Sequence, residues 1–218
     1  MKTIPGRLTG EPADRPRIKL RIEALSDIVF GLALSIGSLI LIGNIPRTPS
    51  DLGIAVLLFS FSFFLVVLSW LGYTRIMSVL PAEVNGVLVL TILLLLCVAL
   101  EPYMFFVMQT TDPSFLYWAS FGYALDVGAM YLILAVLTYL LLLESRRPQT
   151  ELKVHPFLLA RFKGGMRAYL ALGIVFLVSA LPFFWTPTPV GYLRFDLWYF
   201  SGFSLLFWIP SRRRARES

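Results

Sequence analysis

Residues that build most catalytic and metal sites are nearly missing from this 218-residue chain, which has one cysteine, Cys97, and one histidine, His155. A single cysteine excludes an intrachain disulfide, and with one histidine beside it a Cys/His metal site is not expected. Charge is also scarce: Asp, Glu, Lys and Arg make up 15% of the residues, against 57% hydrophobic. Long polar stretches are lacking too, so no separate soluble catalytic domain is expected. His155, in the basic loop LKVHPF, is read as a solvated loop residue, and an enzyme is not expected.

What is present is apolar sequence in long blocks. A bilayer core about 30 Å thick needs roughly 20 apolar residues of helix. Six such runs occur, at 22–43, 53–74, 86–108, 115–143, 168–186 and 191–209. The fold expected is an all-α membrane protein with six transmembrane helices per subunit. It divides into a cytoplasmic N-terminal tail, 1–20, a transmembrane domain, 21–210, and a basic C-terminal tail, 211–218. The first 20 residues are polar and contain proline, and the run that follows is too long for a signal-peptide core, so the first span should serve as its own insertion signal.

Basic residues favour the cytoplasmic side of short loops. Of the 19 lysines and arginines, all except Arg47 and Arg194 fall before the first span, between the second and third, between the fourth and fifth, or after the sixth. Both termini are therefore expected to be cytoplasmic in a multi-pass plasma-membrane protein. The net charge of +6 reads as a topological signal, with anionic lipid head groups rather than nucleic acid as its counterpart.

Charge inside a span is costly and marks candidate sites: Asp27, Glu101, Asp126 and the Arg194/Asp196 pair. Arg194 and Asp196 are expected to pair or to snorkel to the interface. Asp126 is expected to anchor packing by accepting a hydrogen bond from a neighbour. The segment TPVGYL, 188–193, differs from the carbonyl filter of potassium channels, having Pro189 inside the motif and Leu193 in place of its second glycine.

On the first span, rotation by about 100° per residue places Ile28, Leu32, Ile36 and Leu39 in one stripe, with Ser35 at its border and Asp27 about 140° away. Such a stripe is the pattern of a buried helix face. If it instead faces something central, Asp27 turns toward helices of its own subunit, where Arg21 or main-chain donors could satisfy it. The small residues Gly31, Ala33, Ser35, Gly37 and Ser38 permit close helix approach in lipid.

Arg21, followed after three residues by Leu25-Ser26-Asp27, resembles the signature of the transmembrane-protein-175 family of potassium channels, in which the arginine precedes Phe-Ser-Asp. Trp70 and Arg75 in SFFLVVLSWLGYTRI are similar to that family's tryptophan-containing helix end, with Tyr73 where the family has histidine. Pro102-Tyr103 matches the Pro-aromatic end of its leucine-rich third helix. The resemblance covers about the first half of the chain.

It implies a potassium-permeable cation channel without a re-entrant filter loop. The subunit would be a single six-helix repeat that assembles as a homotetramer, with its first helices lining the pore. Leu32, Ile36 and Leu39 would form the constriction and gate, and Ser35 would tune selectivity. Arg21, Ser26, Asp27, Trp70 and Tyr73 would form a structural network, and the loss of the histidine would weaken or remove protonation gating there. No cofactor or resident metal is implied beyond permeant, transient K+. A competing reading is a proton-coupled or cation-coupled small secondary transporter using Asp27, Glu101 or Asp126, although no inverted repeat is evident.

Overall fold

Each apolar run is closed by residues that start or stop a helix. The computed structural model describes residues 15–43, 48–81, 84–109, 112–146, 155–189 and 191–202. Five long helices fill these segments: α1 (Arg15–Gly43), α2 (Pro49–Met77), α3 (Val87–Val107), α4 (Pro113–Glu144) and α5 (Pro156–Ser179). All five are long and apolar enough to cross a membrane.

Proline begins α2, α4 and α5, where its missing N–H costs nothing and its fixed φ suits the helix. Before α2, Thr48 Oγ1 accepts from Asp51 N at 3.1 Å while Asp51 Oδ2 accepts from Thr48 N at 3.0 Å, a reciprocal cap. Asp112 caps α4 through Ser114 N at 2.9 Å. His155 lies before α5 and accepts from Phe157 N through Nδ1 at 3.3 Å, so it has a capping role as well as a loop position.

Helix bounds differ most from the hydropathy runs in α5. The apolar run 168–186 suggests a later span, but the helix begins at Pro156 and ends at Ser179. Arg161, Lys163 and Arg167 lower the hydropathy of its first turns without breaking a helix, since basic residues are good helix formers. Leu181 leaves helical geometry before Pro182, and a 3-10 turn, Pro182–Trp185, follows. Similarly, α1 begins at Arg15, ahead of the apolar run.

Beyond the 3-10 turn, β1 (Pro187–Thr188) pairs antiparallel with β2 (Gly191–Tyr192). The TPVGYL segment thus belongs to a short hairpin, with Gly191 at φ +148°. Residues 193–202 are helical. The rest of the sixth expected span, the 1–14 part of the N-terminal tail and the 211–218 tail lie outside the described residues.

The fourth helix is the centre of the bundle. It packs against α3 and α5 and touches α2, while α1 packs against α3 and α2. Buried side chains from these helices and from the segment after the hairpin form one apolar core, including Phe30, Leu65, Leu94, Val127, Leu134, Phe176 and Trp198. At the α4–α5 crossing, a Cβ on Gly128 would lie 2.8 Å from Leu177, and one on Gly173 would lie 2.8 Å from Leu132. Only glycine admits this approach.

Candidate functional site

The first helix has two unlike faces. Ser26, Phe30, Ala33 and Gly37 are buried against the rest of the subunit. Ile28, Leu32, Ile36 and Leu39, on the other side, retain 59%, 56%, 48% and 62% of their accessible surface. Among the described residues the stripe is therefore an exposed face, not a buried one. Ser35 is exposed beside it and donates to Gly31 O at 2.8 Å. With its proton directed into its own helix, the Ser35 oxygen leaves its lone pairs outward.

Two hydrogen bonds fasten the inner side of α1 to α2. Trp70 Nε1 donates to Asp27 Oδ1 at 3.0 Å. One helical turn away along α2, Tyr73 Oη accepts from Ser26 Oγ at 3.0 Å, and the Ser26 hydroxyl also lies 2.7 Å from Ile22 O. Tyr73 is 1% exposed and packs its ring on Phe30 at 6.2 Å.

Arg21 does not close this network. Six residues separate it from Asp27, a rotation of about 240° that puts the two on different faces. Eleven residues separate it from Leu32, about three full turns, so Arg21 is exposed in line with the stripe. The donor to Asp27 is the Trp70 indole, neither Arg21 nor the main chain. Among the described residues the ion pair formed is Lys19–Glu23, at 3.9 Å on the surface of α1.

Deeper in the subunit, Glu101 on α3 is 2% exposed and its Oε1 accepts from two hydroxyls: Ser62 Oγ of α2 at 2.5 Å and Tyr123 Oη of α4 at 3.2 Å. Pro102 follows it within the helix and cannot donate to the carbonyl of Val98. One turn along each helix, Asp126 of α4 lies against the Cys97 thiol of α3. That thiol is the donor Asp126 accepts from, as a packing anchor requires, while Asp126 Oδ2 is buried with no hydrogen-bond partner.

The expectation for Arg194 is overturned. It is fully buried and does not pair with Asp196. Its Nε donates to Ser179 O at 2.8 Å, Nη2 to Ala180 O at 3.1 Å, and Nη1 to Ser120 Oγ at 2.6 Å and Tyr117 O at 3.3 Å. The guanidinium also lies 5.2 Å from the Tyr117 ring and 5.3 Å from that of Trp185. Snorkelling is unnecessary because the end of α5 supplies unsatisfied carbonyls and a partial negative charge. Arg194 thereby joins the start of α4, the end of α5, the 3-10 turn and the segment after the hairpin.

No family model, curated protein or solved structure matches this chain. Among the described residues the candidate site has three parts: one face of α1 tied to α2, an opposite face left exposed, and a carboxyl cluster in the subunit interior. No group of three or more His, Cys, Asp or Glu side chains among the described residues is arranged to hold a metal ion.

Proposed function

We propose that this chain is the subunit of a potassium-permeable cation channel in the plasma membrane, with both termini cytoplasmic and four copies arranged around a central path lined by α1. The observation that supports this reading best is the division of α1. Ser26 and Asp27 hold one face to the subunit, and the Leu32, Ile36 and Leu39 face stays exposed among the described residues. The resemblance of the Arg21 and Leu25-Ser26-Asp27 pattern to the transmembrane-protein-175 family gives that bare face its role.

In such an assembly Leu32, Ile36 and Leu39 form stacked apolar rings. A narrow apolar ring stops ions by refusing them hydration, so it is both barrier and gate. The outward lone pairs of Ser35, one at each subunit, offer weak cation contacts beside the rings. With no carbonyl stack to replace the ion's water shell, potassium preference over sodium is modest. Arg21, three turns from Leu32 on the same face, places positive charge at the cytoplasmic entrance.

The deciding experiment is flux through the purified protein in liposomes under potassium, sodium and proton gradients. Potassium flux exceeding sodium flux supports the channel. Flux that appears only with a proton gradient selects a coupled transporter instead. Because Cys97 is the sole cysteine, a Leu39→Cys variant in a Cys97→Ser background tests the face directly. Oxidative cross-linking between subunits is expected there and is not expected for Phe30→Cys, which is buried in its own subunit.

A further inference from the structure

Three helices bring polar atoms to one buried place in the subunit. On α3 and α4, running antiparallel, Cys97 faces Asp126 and Glu101 faces Tyr123, so the two pairs are stacked one turn apart; α2 adds Ser62. The surrounding side chains are apolar, with Leu94, Val98 and Val127 fully buried. Transferring an ionised carboxylate into such surroundings is costly unless it is compensated.

Compensation from the protein is incomplete. Glu101 Oε1 has two hydroxyl donors. Asp126 is about nine-tenths buried, and its Oδ2 has no hydrogen-bond partner. The titratable groups facing the two carboxyls are Cys97 on α3, Tyr123 and Tyr131 on α4 and, beside these tyrosines, Tyr199 in the 193–202 segment and Tyr169 on α5. At its closest crossing with α4, α5 contributes Gly173 and Leu177, which carry no charge. Among the described residues no lysine or arginine lies within ion-pair distance of Glu101 or Asp126. The buried cation, Arg194, directs its donors to carbonyls and to Ser120. Two carboxylates therefore share a low-dielectric site where each raises the energy of the other.

From this arrangement we infer that Glu101 and Asp126, with Ser62 and Tyr123, form an internal site that accepts a single positive charge, an alkali cation or a proton, at Asp126 Oδ2. The site lies inside each subunit, away from the exposed α1 face. It stands whether or not that face lines an ion path.

The test is the thermal unfolding of the full-length protein in detergent, which does not depend on conduction. Wild type, Asp126→Asn and Glu101→Gln are compared in potassium, sodium and N-methyl-D-glucamine chloride at equal ionic strength, each in mildly acidic and mildly alkaline buffer. Alkali occupancy is expected to raise the wild-type midpoint in potassium or sodium over N-methyl-D-glucamine. Proton occupancy is expected to raise it on acidification in all three salts. Either rise should be lost in Asp126→Asn, whose amide removes the charge while keeping the shape.

A wild-type midpoint that responds to neither, or a response of equal size in Asp126→Asn, would overturn the site. Should the variants not fold, infrared difference spectra of the wild type still decide. The band to follow is the high-frequency C=O stretch of a buried carboxylic acid, set apart from those of solvated carboxyls: a change there with salt or with pH supports the site, and no such change with either refutes it.

Discussion

Trp70 Nε1 lies 3.0 Å from Asp27 Oδ1, joining the second helix to the first across 43 positions of sequence. Removing either partner should loosen α1. Trp70→Phe and Asp27→Ala are each expected to lower stability by about 1 kcal/mol, the usual worth of one hydrogen bond near a surface, and to reduce the yield of assembled protein. Asp27→Asn keeps the acceptor and should lie close to wild type. A double-mutant cycle checks the pairing: if the losses from Trp70→Phe and Asp27→Ala simply add, the two side chains are not coupled.

Polar substitution on the exposed face of α1 has a different expected result. Leu32→Asn or Leu39→Asn should raise potassium leak in liposomes by lowering the dewetting barrier, with little effect on folding, since both side chains are more than half exposed in the subunit. Unchanged flux in both variants would place the constriction elsewhere.

The tyrosine at 73 sets a pH prediction. Tyr73→Phe removes the acceptor for Ser26 and should cost about 1 kcal/mol, since Ser26 keeps its contact with Ile22 O. Tyr73→His introduces a ring that changes charge near neutrality. Protonation turns both ring nitrogens into donors and removes the acceptor that Ser26 uses, so the Ser26 contact should weaken as pH falls. Flux measured from neutral to mildly acidic pH should therefore vary more in Tyr73→His than in wild type; parallel profiles would detach this position from gating.

At the opposite end of the bundle, Arg194→Lys tests whether shape or charge matters. A lysine keeps the charge but cannot serve Ser179, Ala180 and Ser120 together, nor stack between Tyr117 and Trp185. The expected loss is on the order of 2 kcal/mol, read from the melting midpoint. A variant that melts with wild type would mean that positive charge at the end of α5 suffices.

Sequence pattern and structure agree where one physical term dominates. Hydropathy locates five of the six expected helices, and Thr48, Asp51 and the prolines at 49, 113 and 156 sharpen their starts. Helical rotation separates the Leu32 stripe from Asp27 because it needs only spacing. Rotation also could have separated Arg21 from Asp27, six residues apart. The partners of Glu101 and Arg194 were not legible in this way. Helices that are apolar nearly all round give no moment to fix which side turns inward, so the meeting of Ser62, Glu101 and Tyr123 depends on how three helices pack. Pairing or snorkelling is what the sequence suggests for Arg194 because its acceptors are mostly backbone carbonyls, which every residue carries and no sequence pattern marks.

The glycine crossing of α4 and α5 limits how this sequence can change. A side chain added at Gly128 displaces Leu177, and one added at Gly173 displaces Leu132. A single mutation at either position meets a leucine on the other helix, and a paired change that also shortens that leucine still brings the new Cβ within 3.3 Å of Gly173 O or 3.1 Å of Gly128 O, so the helices must also part slightly. Substitutions here are therefore hindered one at a time and eased, but not freed, in twos, and the seam between these helices should diverge more slowly than the lipid-facing residues around it.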